Sequence, residues 1–84
     1  MASIRIRYWA AARTAAGVAE EDIDAANCAA ALEQAIAGRD DPAPLRQVVA
    51  ASSFLVAGVR RDRAALETIV GPTELEVLPP FAGG

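Results

Sequence analysis

Two segments at opposite ends of this chain alternate between apolar and polar residues, and their charges are of opposite sign. Residues 3–9 read SIRIRYW: Ile4, Ile6 and Tyr8 fall on one face, and Arg5, Arg7 and Trp9 on the other. Residues 73–78 read TELEVL: Leu75 and Val77 fall on one face, and Glu74, Glu76 and Leu78 on the other. A period of two marks a half-buried strand. Side by side, the two strands share one apolar face and set arginines beside glutamates, with Trp9 near Leu78. Such cross-strand pairs contribute about 0.2–1 kcal/mol each. The pattern predicts that the first and last strands are neighbours.

The residues between them supply the rest of a two-layer domain. Residues 10–16 are alanine-rich and close on Gly17, as a short helical turn or a loop. Residues 20–25 read as a second strand, with Ile23 its one large inward residue and an acidic run from Glu20 to Asp24 on an exposed edge. Asn27 reads as an N-cap. Behind it Cys28, Ala31, Leu32, Ala35 and Ile36 keep the i, i+3, i+4 spacing of the main helix, and Gly38 stops it. Residues 39–44, RDDPAP, form a turn, and Leu45, Val48 and Val49 predict a shorter helix. The apolar run SFLVAGV, residues 53–59, reads as one buried strand, RRDR (60–63) as an exposed turn, and residues 64–70 as a short strand or turn. This order predicts an α+β chain. A β-grasp fits: a mixed sheet whose first and last strands run parallel and adjacent, with one main helix on one face. The domain spans residues 1–78, and residues 79–84 form an extended tail.

Composition narrows the function. At 84 residues the chain is one domain with a lean core, because alanine supplies much of its 54% hydrophobic content. Net charge is −3 and every basic residue is arginine. That disfavours nucleic acid, which is held by clustered cationic contacts, and a polybasic membrane surface. The opening residues lack the apolar run of a signal peptide or membrane span, so a cytoplasmic location is expected. There is no histidine, and the single Cys28 can form no internal disulfide and hold no zinc alone. No P-loop or dinucleotide fingerprint is present. The expectation is a chain with no bound metal or cofactor, whose chemistry takes place in a partner's active site.

The tail indicates what that chemistry is. Pro79 and Pro80 lack backbone donors and hold the chain extended. Phe81, Ala82, Gly83 and Gly84 follow. Two terminal glycines fit a channel too narrow for side chains. At neutral pH the α-carboxylate of Gly84 is ionised, and a carboxylate can attack the α-phosphate of ATP to give an acyl-adenylate. A terminal Gly-Gly arises by chance in roughly one chain in 200, so the domain order is needed to give it weight.

The ending PPFAGG, residues 79–84, resembles the tail of the MoaD/ThiS group of ubiquitin-like sulfur carriers, which includes the small subunit of molybdopterin synthase. Residues 4–13, IRIRYWAAAR, resemble the opening strand and turn of that group, and residues 73–80, TELEVLPP, its last strand. Leu32 and Ile36 sit where its main helix faces the core. The turn at Gly71-Pro72-Thr73 and the pair Gly58-Val59 depart from the common pattern.

The resemblance implies that a partner adenylyltransferase activates Gly84 with ATP and that a donor protein converts it to a thiocarboxylate. The tail then enters the large synthase subunit in a heterotetramer and delivers sulfur to cyclic pyranopterin monophosphate for the molybdenum cofactor. Pro79, Pro80, Phe81, Ala82 and Gly83 would thread the partner's channel, and Trp9 and Leu78 would dock beside it. Cys28 and Tyr8 read as core, and Arg60, Arg61 and Arg63 as a solvated turn. Other readings are a carrier for thiamine or cysteine synthesis, a ubiquitin-like modifier joined through Gly84, and an interaction module whose glycines are only a flexible end.

Overall fold

The computed structural model describes residues 1–80. The tail residues Phe81, Ala82, Gly83 and Gly84 lie outside the described residues. Five strands form one sheet: β1 (Ala2–Tyr8), β2 (Glu20–Ala25), β3 (Ser53–Val56), β4 (Val59–Arg61) and β5 (Thr73–Leu78), in the order β2-β1-β5-β3-β4. The expected pairing is present. β1 runs parallel to β5, with Arg5 opposite Glu74 and Arg7 opposite Glu76. β2 is antiparallel to β1, β3 to β5, and β4 to β3. This is the mixed sheet of a β-grasp.

The helices α1 (Ala10–Ala16), α2 (Cys28–Ala37) and α3 (Ala43–Ala51) and a 3-10 helix (Arg63–Thr68) complete the described fold. Their apolar residues join those of the sheet in one core. Ile4, Ile6, Tyr8, Leu75, Val77, Phe54 and Val56 enter it from the strands, and Leu32, Ile36, Leu45, Val49 and Leu66 from the helices. Ala12, Ala31 and Ala35 are also buried, so the helices present small residues at their contacts. Cys28 is fully buried on the α2 stripe, and burial pushes its thiol up from its ordinary value. It is a core residue.

The start of α2 follows from its sequence. The Asn27 side chain accepts from Ala30 N–H at 2.8 Å, and the Ile69 carbonyl accepts from Cys28 N–H at 2.8 Å. Two of the four donors left over at a helix start are thereby satisfied.

Three expected segments are corrected. Residues 53–59 are not one strand. Ala57 and Gly58 take positive φ angles of 50° and 80° and join β3 to β4 as a two-residue hairpin. Positive φ at both positions matches the right-handed twist of the strands on either side. The exposed turn read for residues 60–63 is therefore β4 for Arg60 and Arg61, and Arg63 opens the 3-10 helix. Residues 64–70 form no strand; the 3-10 helix lies there and buries Leu66. Residues 10–16, open between turn and loop, are helix α1, closed by Gly17 at φ 80° with its N–H donating to the Arg13 carbonyl.

Gly71 precedes β5 where the chain passes against β1. A Cβ there would stand 2.7 Å from the Ser3 carbonyl oxygen and 3.1 Å from Ile4 Cγ1. Backbone cannot yield as a side-chain tip can. Gly71→Ala is expected to destabilise the domain by about 1–3 kcal/mol, read as a lower urea midpoint at unchanged slope.

Candidate functional site

The site is the end of the domain where β5 runs out, because the tail begins there. β5 delivers Leu78 between β1 on one side and Ser53 of β3 on the other. Pro79, next in the chain, is buried, and Pro80 is exposed. Both line an apolar groove of about 260 Å³ with Ala11 of α1 and Gln47, Val48 and Ala51 of α3. The tail root is therefore seated against the helical layer.

Trp9 stands at the same end. β1 stops at Tyr8, and Trp9 is the N-cap residue of α1 with extended backbone (φ −117°, ψ 150°). Its backbone N–H donates to the Val77 carbonyl at 3.3 Å, and its indole N–H donates to Glu76 Oε1 at 3.0 Å. The ring stays 44% exposed. Tyr8 pairs with Val77, so Trp9 follows beside Leu78. The structure thus brings Trp9, Leu78, Pro79 and Pro80 together at one end of the sheet.

The outer sheet face between them is a ladder of charge. Arg5 donates to Asp22 at 3.0 Å and pairs with Glu20 at 3.3 Å; Arg7 meets Glu74 at 3.5 Å and Glu20 at 3.8 Å. The hydrogen bond from Arg5, and then its charge, holds the Asp22 carboxyl below its usual value. These exposed pairs are individually weak. Arg60, Arg61 and Arg63 are exposed and form no ion pair among the described residues. Arg63 instead stacks over the Phe54 ring at 5.8 Å.

A stronger polar cluster lies beneath this end. The Tyr8 hydroxyl donates to Glu21 Oε2 at 2.5 Å, Arg39 pairs with the same carboxylate, and the guanidinium lies 5.8 Å from the Tyr8 ring. The Glu21 and Arg39 side chains are 26% and 19% exposed. Burial alone would raise the Glu21 carboxyl, but hydrogen bonds from Arg39 and Tyr8 and the charge of Arg39 bring it below its ordinary value. Burial, then the bond to Glu21, raises the Tyr8 hydroxyl. Among the described residues, no group of three histidine, cysteine, aspartate or glutamate side chains could hold a metal ion. No helix there is long and apolar enough to cross a membrane.

No family model matches the chain, and no curated protein does. Solved structures match it over nearly its whole length. The small archaeal modifier protein 1 (SAMP1) of Methanosarcina acetivorans superposes with a TM-score of 0.80 at 25% identity, over 100% of this chain and 98% of its own. A protein described as molybdopterin converting factor subunit 1, from Pyrococcus furiosus, gives 0.74 at 20%, over 95% and 99%. The complex of subunits 1 and 2 of molybdopterin-converting factor from Helicobacter pylori contains a chain that gives 0.68 at 16%, over 98% and 99%. The chain shares the β-grasp, ubiquitin-like fold of these small proteins.

Within that fold the sequence pointed to Trp9 and Leu78 but missed the groove and the cluster under Tyr8. A groove formed by two helices and a tail root leaves no local signature. Arg39 lay in a turn, and nothing in the spacing tied it to Glu21.

The cluster carries a pH dependence. Glu21 is depressed in the fold, so its contribution is present above the ordinary carboxylate pKa of about 4.3. It is lost as pH falls through the lowered folded value. Tyr8 is raised, so its contribution holds below about pH 10 and is lost as pH climbs toward the folded value. Glu21→Gln is expected to lose about 1–2 kcal/mol at pH 7. Its deficit against the native chain should shrink as urea midpoints are followed below about pH 4.

Proposed function

We propose that this chain is a sulfur carrier, the small subunit of a molybdopterin synthase, with Gly84 as its working terminus. The observation that carries this reading is the placement of the tail root. A MoaD-like β-grasp domain brings β5 out at one end and seats Pro79 and Pro80 there, with Phe81-Ala82-Gly83-Gly84 next in sequence. A partner adenylyltransferase joins the Gly84 carboxylate to the α-phosphate of ATP and releases pyrophosphate. The outer sulfur of a donor protein's persulfide then attacks the acyl carbon, a C–S bond forms and AMP leaves; a second thiol cleaves the S–S bond of this acyl disulfide, taking the donor sulfur into a disulfide and releasing the thiocarboxylate. The resulting thiocarboxylate enters the large subunit, which supplies the pocket and the acid–base groups, and gives its sulfur to cyclic pyranopterin monophosphate. The Helicobacter pylori complex, in which subunit 1 is assembled with subunit 2, supports a large-subunit partner.

A second reading is favoured by the likeness to SAMP1, a modifier protein by name. In it an amine replaces sulfur as the nucleophile, and Gly84 ends in amide linkage to another protein. The chain has no lysine of its own, so lysine-linked chains of this protein are excluded while single conjugation is not.

Fragment mass spectrometry of the chain isolated from cells holding its native activating enzymes separates the readings. A sulfur-for-oxygen exchange on Gly84 is the expected result. The fragments must place it there, because the mass shift nearly coincides with oxidation of Met1, Trp9 or Cys28. An amide to another protein would select the modifier. An unmodified carboxylate in cells making the cofactor would reject both. One residue added after Gly84 is expected to abolish sulfur transfer and leave the unfolding midpoint unchanged.

A further inference from the structure

The sheet has two edges, and they differ in charge. β2 forms one and β4 the other, and neither pairs with a further strand among the described residues. β2 carries Glu20, Glu21, Asp22 and Asp24; β4 carries Arg60 and Arg61. All three β4 residues are exposed, as are Glu20, Asp22 and Asp24. A free edge is a template for another strand. We propose that the β4 edge of one copy pairs antiparallel with the β2 edge of a second copy, so that the sheet continues from molecule to molecule. This contact does not depend on the chemistry at Gly84.

Strand direction allows the contact without rotation. β1, β5 and β4 run one way, and β2 and β3 the other. A second copy set beside β4 in the same orientation therefore offers an antiparallel β2. The free backbone groups agree. Opposed residues of an antiparallel pair alternate between bonded and unbonded. The Ala19 carbonyl accepts from Tyr8 N–H at 2.9 Å. Glu21 and Ile23 therefore bond to β1, and Glu20, Asp22 and Asp24 turn their backbone groups to the open edge. The Glu74 carbonyl accepts from Ala57 N–H at 3.0 Å. Leu55 therefore bonds to β5, Phe54 and Val56 bond to β4, and Arg60 turns its N–H and C=O outward.

The side chains choose the register. With Arg60 opposite Asp22, Arg61 falls opposite Glu21 and Val59 opposite Ile23. Each base meets an acid, and Val59, 51% exposed in the single chain, meets the partly buried Ile23. Moving Arg60 to Glu20 sets Val59 against Glu21, and moving it to Asp24 sets Arg61 against Ile23. Symmetric pairings fare worse. β4 on β4 sets Arg60 against Arg60, β2 on β2 sets Asp22 against Asp22, and like charges directly opposite are unfavourable. The contact therefore joins unlike edges, and its repetition builds an open row rather than a closed dimer. With only three residues in β4 it is weak, and its exposed charges make it sensitive to salt.

The test uses the full chain in sedimentation velocity and amide NMR. Association is expected to grow with concentration up to about 1 mM, where contacts with a Kd of that order show. It is expected to vanish at about 1 M salt, where the Debye length is about 3 Å. The Arg60 and Asp22 amide resonances are expected to move together as it grows. Arg60→Pro and Asp22→Pro each remove an N–H at the open edge, where proline is tolerated. Each variant alone is expected to stay monomeric, with its urea midpoint showing that it is folded. Mixed, the two are expected to form a dimer and nothing larger, because each keeps one working edge. A native chain that stays monomeric throughout would overturn the proposal, and so would either variant associating alone as the native chain does. Should a variant fail to fold, the native chain decides: association that leaves the Arg60 and Asp22 amides unmoved would overturn it.

Discussion

The parallel pairing of β1 with β5 is the contact on which the rest of the sheet hangs. Within the sheet β2 pairs only with β1, β3 joins through β5, and β4 pairs only with β3. The two central strands come from opposite ends of the chain, so the pairing closes almost the whole sequence into one loop. Its entropic cost is met by burial: Ile6 lies opposite Leu75 and Tyr8 opposite Val77, all four inaccessible or nearly so. The outer face adds a preference for this register, because a slip by one residue would turn Arg5 and Arg7 toward the core. Gly71 belongs to the same contact, since its missing Cβ lets the chain entering β5 pass the Ser3 carbonyl.

Charge plays two different roles around these strands. On the outer face Arg5 and Arg7 are bridged by acids from both neighbouring strands, and each pair is open to water. Those contacts choose a register more than they stabilise. Under Tyr8 the Glu21–Arg39 pair is mostly withdrawn from solvent and shares its carboxylate with a buried phenol. Removing one member leaves polar groups without partners, so the cost is larger. The cluster ties the end of β1, the edge strand β2 and Arg39, two residues past α2, together. It thereby steadies the end of the domain from which Trp9 and the tail root project.

Much of this was legible in the sequence because it was written in local pattern. The alternation in residues 3–9 and 73–78 and the stripe behind Asn27 each depend on neighbours a few positions away. What was not legible depends on backbone angles or distant partners. Ala57 adopts a positive φ that its residue type does not announce, so a uniformly apolar run concealed the hairpin between β3 and β4. The 3-10 helix buries only Leu66, too little apolar spacing to declare a period. Arg39 meets Glu21 across 18 positions, and Pro79 shares a groove with Val48 of α3, some thirty positions earlier in the chain.

The carrier and modifier readings divide at one atom. In both, the carboxylate of Gly84 becomes an acyl-adenylate, and in both AMP is the leaving group. Sulfur or an amine then takes its place, and that choice belongs to the protein holding the activated terminus. On either reading the domain's task is the same, to present a narrow terminus, and the β1–β5 pairing fixes the end of the sheet at which Leu78, Pro79 and Pro80 leave it.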